Sequence, residues 1–250
     1  MHLVGTPSDN LPKVLGTGHD TGNFAYISLS AREPDGRDAE YIEWHSLDHR
    51  PEQHRLPQLR QSLRVVSTPE CRKVRAISTP AYNAVDHVMT YLFSGYASMP
   101  DFIVLGHALG DAGRMPLRLP LVSYLTADLA GKVAATRAVA GAEVIPFRPA
   151  LGIYLIIEQG HAPAADLADI TGVAGVWWYH TGVAPAPYND DFTGLQVTYC
   201  YLDADPVLVA AQLGEAVKAR WESGEVQGLL AAPFYSIVPF EWTRYLPSGN

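Results

Sequence analysis

Between residues 24 and 30, apolar and mixed positions alternate. Ala25, Ile27 and Leu29 fall on one side of an extended segment, and Phe24, Tyr26 and Ser28 on the other. A period of two predicts a strand. Similar runs predict strands over 59–67 and 86–94, with a last one near 142–147. A helix is predicted from Asp38 to about Asp48, with Asp38 as its cap. A second helix is predicted from about Pro100 to Ala112. Phe102, Leu105, Leu109 and Ala112 form one stripe there, and the proline sits in the first turn, where its missing N–H costs nothing.

The rest of the chain runs through the same order. Strands are predicted at 151–158, 173–180 and 195–202, with a short helix near 162–169. A clear helix covers 205–221, and a final strand falls within 226–238. Short echoes accompany this order. Thr90-Tyr91 returns as Thr198-Tyr199, Pro100 as Pro206, and Leu105-Gly106 as Leu213-Gly214. Ala25-Tyr26-Ile27 resembles Ile153-Tyr154-Leu155, and Ile145-Pro146-Phe147 resembles Val238-Pro239-Phe240.

The order β-α-β-β-α-β, twice, predicts an α+β fold of two tandem ferredoxin-like (βαββαβ) repeats forming an α+β barrel. The division is an N-terminal extension at 1–23, a first repeat at 24–149 and a second at 150–250. Helices cover one face of such a sheet, and a second sheet is expected against the other. The space between the sheets is then the expected pocket. The aliphatic face of residues 24–30 suits the helices, and the face carrying Tyr26 suits the hollow. The two repeats close a barrel within one chain or, alternatively, each pairs with another subunit in a homodimer.

Composition narrows the function. Hydrophobic residues make up 48% of the 250 and charged residues 18%, enough for a full core. The net charge of −8, with 18 Lys and Arg, argues against a nucleic-acid surface. No stretch approaches the roughly 18 apolar residues of a membrane span. The first 23 residues lack the basic start and apolar run of a secretory signal, so a cytoplasmic protein is expected. Two cysteines give no disulfide framework. Cys200 is expected to be buried in its strand, and Cys71, in a polar stretch, to be exposed.

Candidate chemistry gathers in two places. The first is the polar run from Glu43 to His54, which holds three of the nine histidines. His45 and His49 stand four apart and share a helical face. That spacing suits a metal, but the run has no cysteine and no glutamate placed as in a zinc protease, so no metal is expected. An exposed polar helix end is the plain alternative. The remaining reading has one histidine in the pocket as an acid or base, a task that suits imidazole near neutral pH.

The second place is Trp177-Trp178-Tyr179-His180, where strand alternation sends Trp177 and Tyr179 one way and Trp178 and His180 the other. Core aromatics are the plain alternative there. A loop carrying Tyr188, Asn189, Asp190 and Asp191 follows it. Tyr26 and Tyr154 sit at equivalent places in the first strands, and Tyr91 and Tyr199 in the third. His87 and His107 are weaker candidates. Arg114, Arg118 and Arg148 are candidates for anchoring an acid group. No glycine-rich phosphate loop and no nucleophile elbow is present, so no nucleotide and no serine hydrolase is expected. A haem would need one axial histidine, and His180 or His107 could serve, but no motif supports it.

His49-x-Pro51 followed by Pro57-x-Leu59-Arg60 resembles the His-x-Pro…Pro-x-apolar-Arg pattern of EthD-like proteins in the dimeric α+β barrel superfamily. Tyr41 or Trp44 stands where those proteins carry an aromatic upstream of the histidine. The resemblance covers residues 24 to about 66. It departs from the pattern in Gln58, where glycine is usual. It departs again in the second half, where His161-Ala162-Pro163 precedes the helix instead of following it. The relatives include polyketide cyclases, dehydratases and cofactor-free oxygenases. The resemblance therefore implies a cofactor-free enzyme with His49 facing the cavity. The expected reaction is acid/base chemistry of lyase, dehydratase, isomerase or cyclase type on a small hydrophobic compound, with aromatic and polycyclic compounds included. His49, His45 and His180 are the expected catalytic residues. Tyr26, Tyr91, Tyr154, Trp44, Trp177 and Trp178 are expected to bind substrate. A cofactor-free monooxygenase acting on a phenol and a non-catalytic carrier of a hydrophobic ligand are the alternatives.

Overall fold

The computed structural model describes residues 22–139, 141–182 and 193–246. The predicted extension before residue 22 and the loop with Tyr188, Asn189, Asp190 and Asp191 lie outside the described residues. The described residues form nine strands: β1 (Phe24–Ser30), β2 (Leu59–Val66), β3 (Ile77–Ser78), β4 (His87–Phe93), β5 (Leu121–Ala134), β6 (Gly152–Gln159), β7 (Val173–Thr181), β8 (Leu195–Leu202) and β9 (Gln227–Ser236). The helices are α1 (Asp38–Trp44), α2 (Arg50–Gln53), α3 (Pro69–Lys73), α4 (Met99–Asp111) and α5 (Pro206–Trp221). None of them is long and apolar enough to cross a membrane.

Eight strands form one antiparallel sheet in the order β2-β4-β1-β5-β7-β8-β6-β9. The pairs Val65–Ser236 and Val66–Tyr235 join β9 back to β2 and close the sheet into a barrel. The short β3 lies along the end of β9. In both halves the first strand sits between the third and the fourth: β2-β4-β1-β5, then β7-β8-β6-β9.

Closure settles which side of each strand faces inward. An eight-stranded barrel has an interior just wide enough for side chains to fill. Ala25, Ile27 and Leu29 point into it, with Leu92, Leu155, Trp177, Tyr179, Tyr199 and Phe234 from both halves. Several polar tips in this core have hydrogen-bond partners, as buried polar groups generally do. Trp177 Nε1 donates to the Ala142 carbonyl at 2.9 Å, and the Tyr179 hydroxyl donates to the Gly22 carbonyl at 3.2 Å. Thr90 Oγ1 and the Tyr199 hydroxyl lie 2.7 Å apart.

The expected assignment of faces is therefore reversed. The aliphatic face of β1 lines a packed interior, not a helix interface. The face with Phe24 and Tyr26 turns outward, where Met89, Tyr91 and Phe93 meet Met99 and Phe102 of α4. In the second half, Tyr154, Ile156, Cys200 and Leu202 lie under Val209, Leu213 and Val217 of α5.

Other expectations are corrected too. Residues 142–147 form a 3₁₀ turn containing Pro146, and the strand is β5, just before it. Asp38 is the first residue of α1 and not its cap. Its carboxylate accepts from the Glu33 N–H at 3.2 Å and from His87 Nε2 at 2.6 Å. Cys71 is fully buried, and its N–H bonds to Thr68, which caps α3. The echo of Thr90-Tyr91 in Thr198-Tyr199 is out of phase. Tyr26 pairs with Tyr91 and Tyr154 with Cys200, so Cys200, not Tyr199, takes the place of Tyr91. One residue of slip exchanges the two faces of a strand.

Candidate active site

The helix begun by α1 does not stop at Trp44. It widens into a π turn over His45–His49 and runs on into α2. The Arg50 N–H reaches the His45 carbonyl, five residues back. Such turns are rare and occur often at functional sites. Here the turn lays both histidines against the outer face of the sheet. His45 is 3% exposed and His49 6%.

Their rings lie 5.3 Å apart between centroids. Tyr41 stacks on His45 and Trp44 on His49. His45 Nε2 is 3.1 Å from the Tyr91 hydroxyl. The Gln53 amide nitrogen donates to His49 Nε2 at 3.0 Å. Both Nδ1 atoms are buried without a partner among the described residues. Below them lies Arg64 of β2, 5% exposed, stacked over the Tyr41 ring and donating to its hydroxyl at 3.2 Å.

The electrostatics follow from burial next to positive charge. Burial pushes the His45 imidazole well below its ordinary pKa, and Arg64, His49 and Arg50 push the same way. Burial and Arg64 also lower His49, against the opposing pull of Asp48. Burial, with some help from Tyr124, pushes the Tyr26 phenol up to about 12. Burial raises Tyr91 as well. At neutral pH the site therefore offers two uncharged imidazoles and two protonated phenols.

These groups open on a cavity of about 420 Å³ between the outer face of the first half's sheet, the π turn and α4. Met89, Phe102, Ile103 and Met115 make much of its apolar wall. The volume is in the range of small-molecule sites. Of the expected site residues, His49, His45, Tyr26, Tyr91 and Trp44 line this cavity.

His180, Tyr154, Trp177 and Trp178 do not line it. His180 points outward from β7, bonded to Gln196 and stacked on His161 with ring centroids 3.7 Å apart. Trp177 fills the barrel interior. Trp178 lies across Gly131 on the outer face. Tyr154 is covered by α5. On the outer face of the second half, α5 packs directly on the sheet. Arg114 is held by Asp48 and Glu52, and Arg148 lies near Asp203. Arg118 and His107 stand exposed at the cavity mouth. His87 is bonded to Asp38.

Two lining residues, Gln53 and Arg64, escape a reading of the sequence. Gln53 stands four residues after His49, on the same helical face. Arg64 shares β2 with Arg60, Gln61 and Ser62, so it does not stand out among them. Among the described residues, no group of three or more His, Cys, Asp or Glu side chains could hold a metal ion. Neither histidine offered by the sequence as a haem ligand is a buried group facing the cavity.

No family model matches the sequence, and no curated protein does. Solved structures do resemble it. An anthrone oxidase-like protein aligns with a TM-score of 0.50 and 11% identity over 88% of this chain and 93% of that one. A candidate chlorite dismutase aligns with a TM-score of 0.51 and 11% identity over 90% and 98%. At that identity the likeness concerns architecture alone: the chain shares its overall fold with these two proteins.

Proposed function

We propose that the protein is an enzyme that transfers protons on a small, largely hydrophobic compound, aromatic or polycyclic, without a cofactor. The reaction is a dehydration, isomerisation, cyclisation or lyase step. The two halves are read as tandem ferredoxin-like units of EthD-like type, of which the first alone carries a site. The observation that supports this most is the pair of buried, uncharged imidazoles beside phenols that stay protonated, all facing one cavity.

In this reading His49 is the general base. Its Nε2 lone pair, met by the Gln53 N–H in the free protein, takes a proton from an activated C–H of the substrate. The electron pair of that bond moves to the adjacent carbonyl oxygen, where Tyr26 or Tyr91 donates a hydrogen bond. His45 is held by Tyr91 as the partner that returns or relays the proton. Trp44 and Phe102 keep water out. A positioned base contributes typically ~10²–10⁴-fold.

The test is proton exchange. 2-Tetralone and anthrone in D₂O are followed by NMR with and without protein. The native protein should speed exchange at the activated C–H, and His49→Ala should remove about 10²-fold or more of that gain. A loss below about threefold, with the circular dichroism spectrum intact, takes His49 out of the mechanism. Binding without exchange favours a carrier.

A second reading, cofactor-free oxygenation, starts from the same deprotonation. It is favoured by the apolar wall of Met89, Phe102 and Ile103, against which an electron-rich carbanion would meet dissolved oxygen away from water. Likeness in fold to an anthrone oxidase-like protein makes anthrone the natural probe. Oxygen consumed in step with anthrone would favour this reading over the first.

A further inference from the structure

Arg64 is buried without a counter-charge. Among the described residues no carboxylate lies within 4.0 Å of its guanidinium, whereas Arg32, Arg75 and Arg220 each meet Asp38, Asp86 or Glu158. Its Nη2 donates to the Tyr41 hydroxyl, and its Nε has no partner among the described residues. The histidines above it are uncharged, and Arg50 adds a second positive charge beside Tyr91. A buried charge left unpaired is costly unless something compensates it. Arg64 lines the cavity, so a guest can reach it.

We propose that the cavity binds an aromatic carboxylate, with its carboxylate group on Arg64 and its rings against Phe102, Ile103 and Met115. Arginine is suited to this because its planar fork matches a carboxylate. The size agrees. A dry protein cavity of roughly 150 Å³ accepts one benzene, so the cavity here accommodates two to three fused rings. The assignment rests on the cavity being the substrate site and names the substrate class.

The experiment uses calorimetry on the whole protein with 2-naphthoate and its neutral isostere 2-naphthamide. Native protein should bind the naphthoate roughly tenfold or more tighter than the amide, as a charge-assisted bond implies. Arg64→Gln should remove that preference, and Arg64→Lys should keep part of it. Equal binding of acid and amide, a preference that survives in Arg64→Gln, or binding of neither overturns the assignment.

A readout on native protein covers the case in which Arg64→Gln does not fold. An anion placed beside His45 and His49 offsets the field of Arg64 and raises their proton affinity. Naphthoate binding at pH 6 should then take up protons, measured by calorimetry in two buffers of different ionisation enthalpy, and the amide should not. No uptake counts against the assignment. Naphthoate binding without exchange chemistry leaves this assignment standing and defeats the catalytic reading. Exchange on 2-tetralone with no preference for naphthoate does the reverse.

Discussion

His45 Nε2 and the Tyr91 hydroxyl, 46 positions apart in sequence, lie 3.1 Å apart and tie the π turn to the centre of β4. Both groups are buried, and since Gln53 also reaches the Tyr91 hydroxyl, it is the imidazole that depends on this bond. Tyr91→Phe keeps the ring that packs on Phe102 and strands the imidazole. We expect a stability loss of about 1–3 kcal/mol, the cost of leaving a buried polar group unpaired. Proton exchange on 2-tetralone should fall at least tenfold. Chemical denaturation and NMR exchange read the two effects separately. A stable, fully active variant would show that the bond supports neither fold nor chemistry.

The buried histidines set a direction for acid stability. Burial is the largest effect on His45 and His49 and lowers both, and it also lowers His87 against the pull of Asp38. Each is uncharged in the fold and takes a proton near its ordinary pKa of about 6.5 when unfolded. Between the depressed folded pKa and 6.5 the unfolded chain binds more protons, so stability rises with pH there. The contribution is present above 6.5 and is lost as pH falls through the folded values. Asp38 acts lower on the scale. Burial pushes its carboxyl up, but His87, the Glu33 N–H and Arg32 outweigh that and hold it below the ordinary value of 3.8. Its contribution is present above 3.8 and lost below. Urea midpoints should thus be level from pH 8 to 7, fall from about pH 6.5, and fall again in strong acid. A flat profile between pH 8 and 5 would mean the histidines are not buried uncharged.

The contact between Thr90 and Tyr199 tests whether the two halves share one core. Their hydroxyls are 2.7 Å apart, one from each half, inside the barrel. Tyr199→Phe and Thr90→Val alone each leave the other group unpaired, at about 1–3 kcal/mol. The double variant removes both polar groups and should cost less than the sum of the singles. Additive losses in a denaturation cycle would mean that the two side chains do not meet.

The alternation in β1 identifies which residues travel together, and the barrel keeps that grouping. It does not identify which group faces inward, because both faces of every strand are covered. Aliphatic Ala25, Ile27 and Leu29 look equally suited to a helix or to a barrel interior. Closure between β2 and β9, a contact more than 160 residues apart in sequence, decides it. β5 hides for a local reason. Its alternation is interrupted at Leu129–Gly131 by an irregular register and carries Asp128 and Lys132. The nearby apolar run at 142–147 looks more like a strand until Pro146 is weighed.

The site is legible where a short period links its members. His45 and His49 stand four apart, whereas Tyr26 and Tyr91 come together only because β1 and β4 pair. Arg64 was not legible, because β2 carries Arg60, Gln61 and Ser62 as well and nothing in the sequence sets one of its charges apart. Trp177, Trp178 and His180 drew attention as a cluster, yet alternation already divides them between two faces. Trp177 fills the barrel interior, and Trp178 lies across Gly131.

That division yields the last prediction. Trp178 and Trp44 are both half-buried tryptophans on outer faces, and only their surroundings separate them. Trp178 lies across Gly131, so closely that a Cβ there would come within 2.1 Å of its ring. Trp44 stacks on His49 at 5.2 Å between centroids, in the wall of the cavity. Gly131→Ala must displace the indole, and overpacking of this kind costs about 1–3 kcal/mol. Gly131→Ala and Trp178→Leu should therefore lower the melting temperature while 2-naphthoate binding stays within twofold of native. Trp44→Leu should weaken naphthoate binding and slow exchange on 2-tetralone, because the ring that orients His49 is gone. Its effect on stability should be smaller, since the ring packs over an open cavity and not a filled core. If instead Trp178→Leu abolishes binding and Trp44→Leu leaves it intact, the functional site belongs to the second half of the chain and the assignment of His49 fails with it.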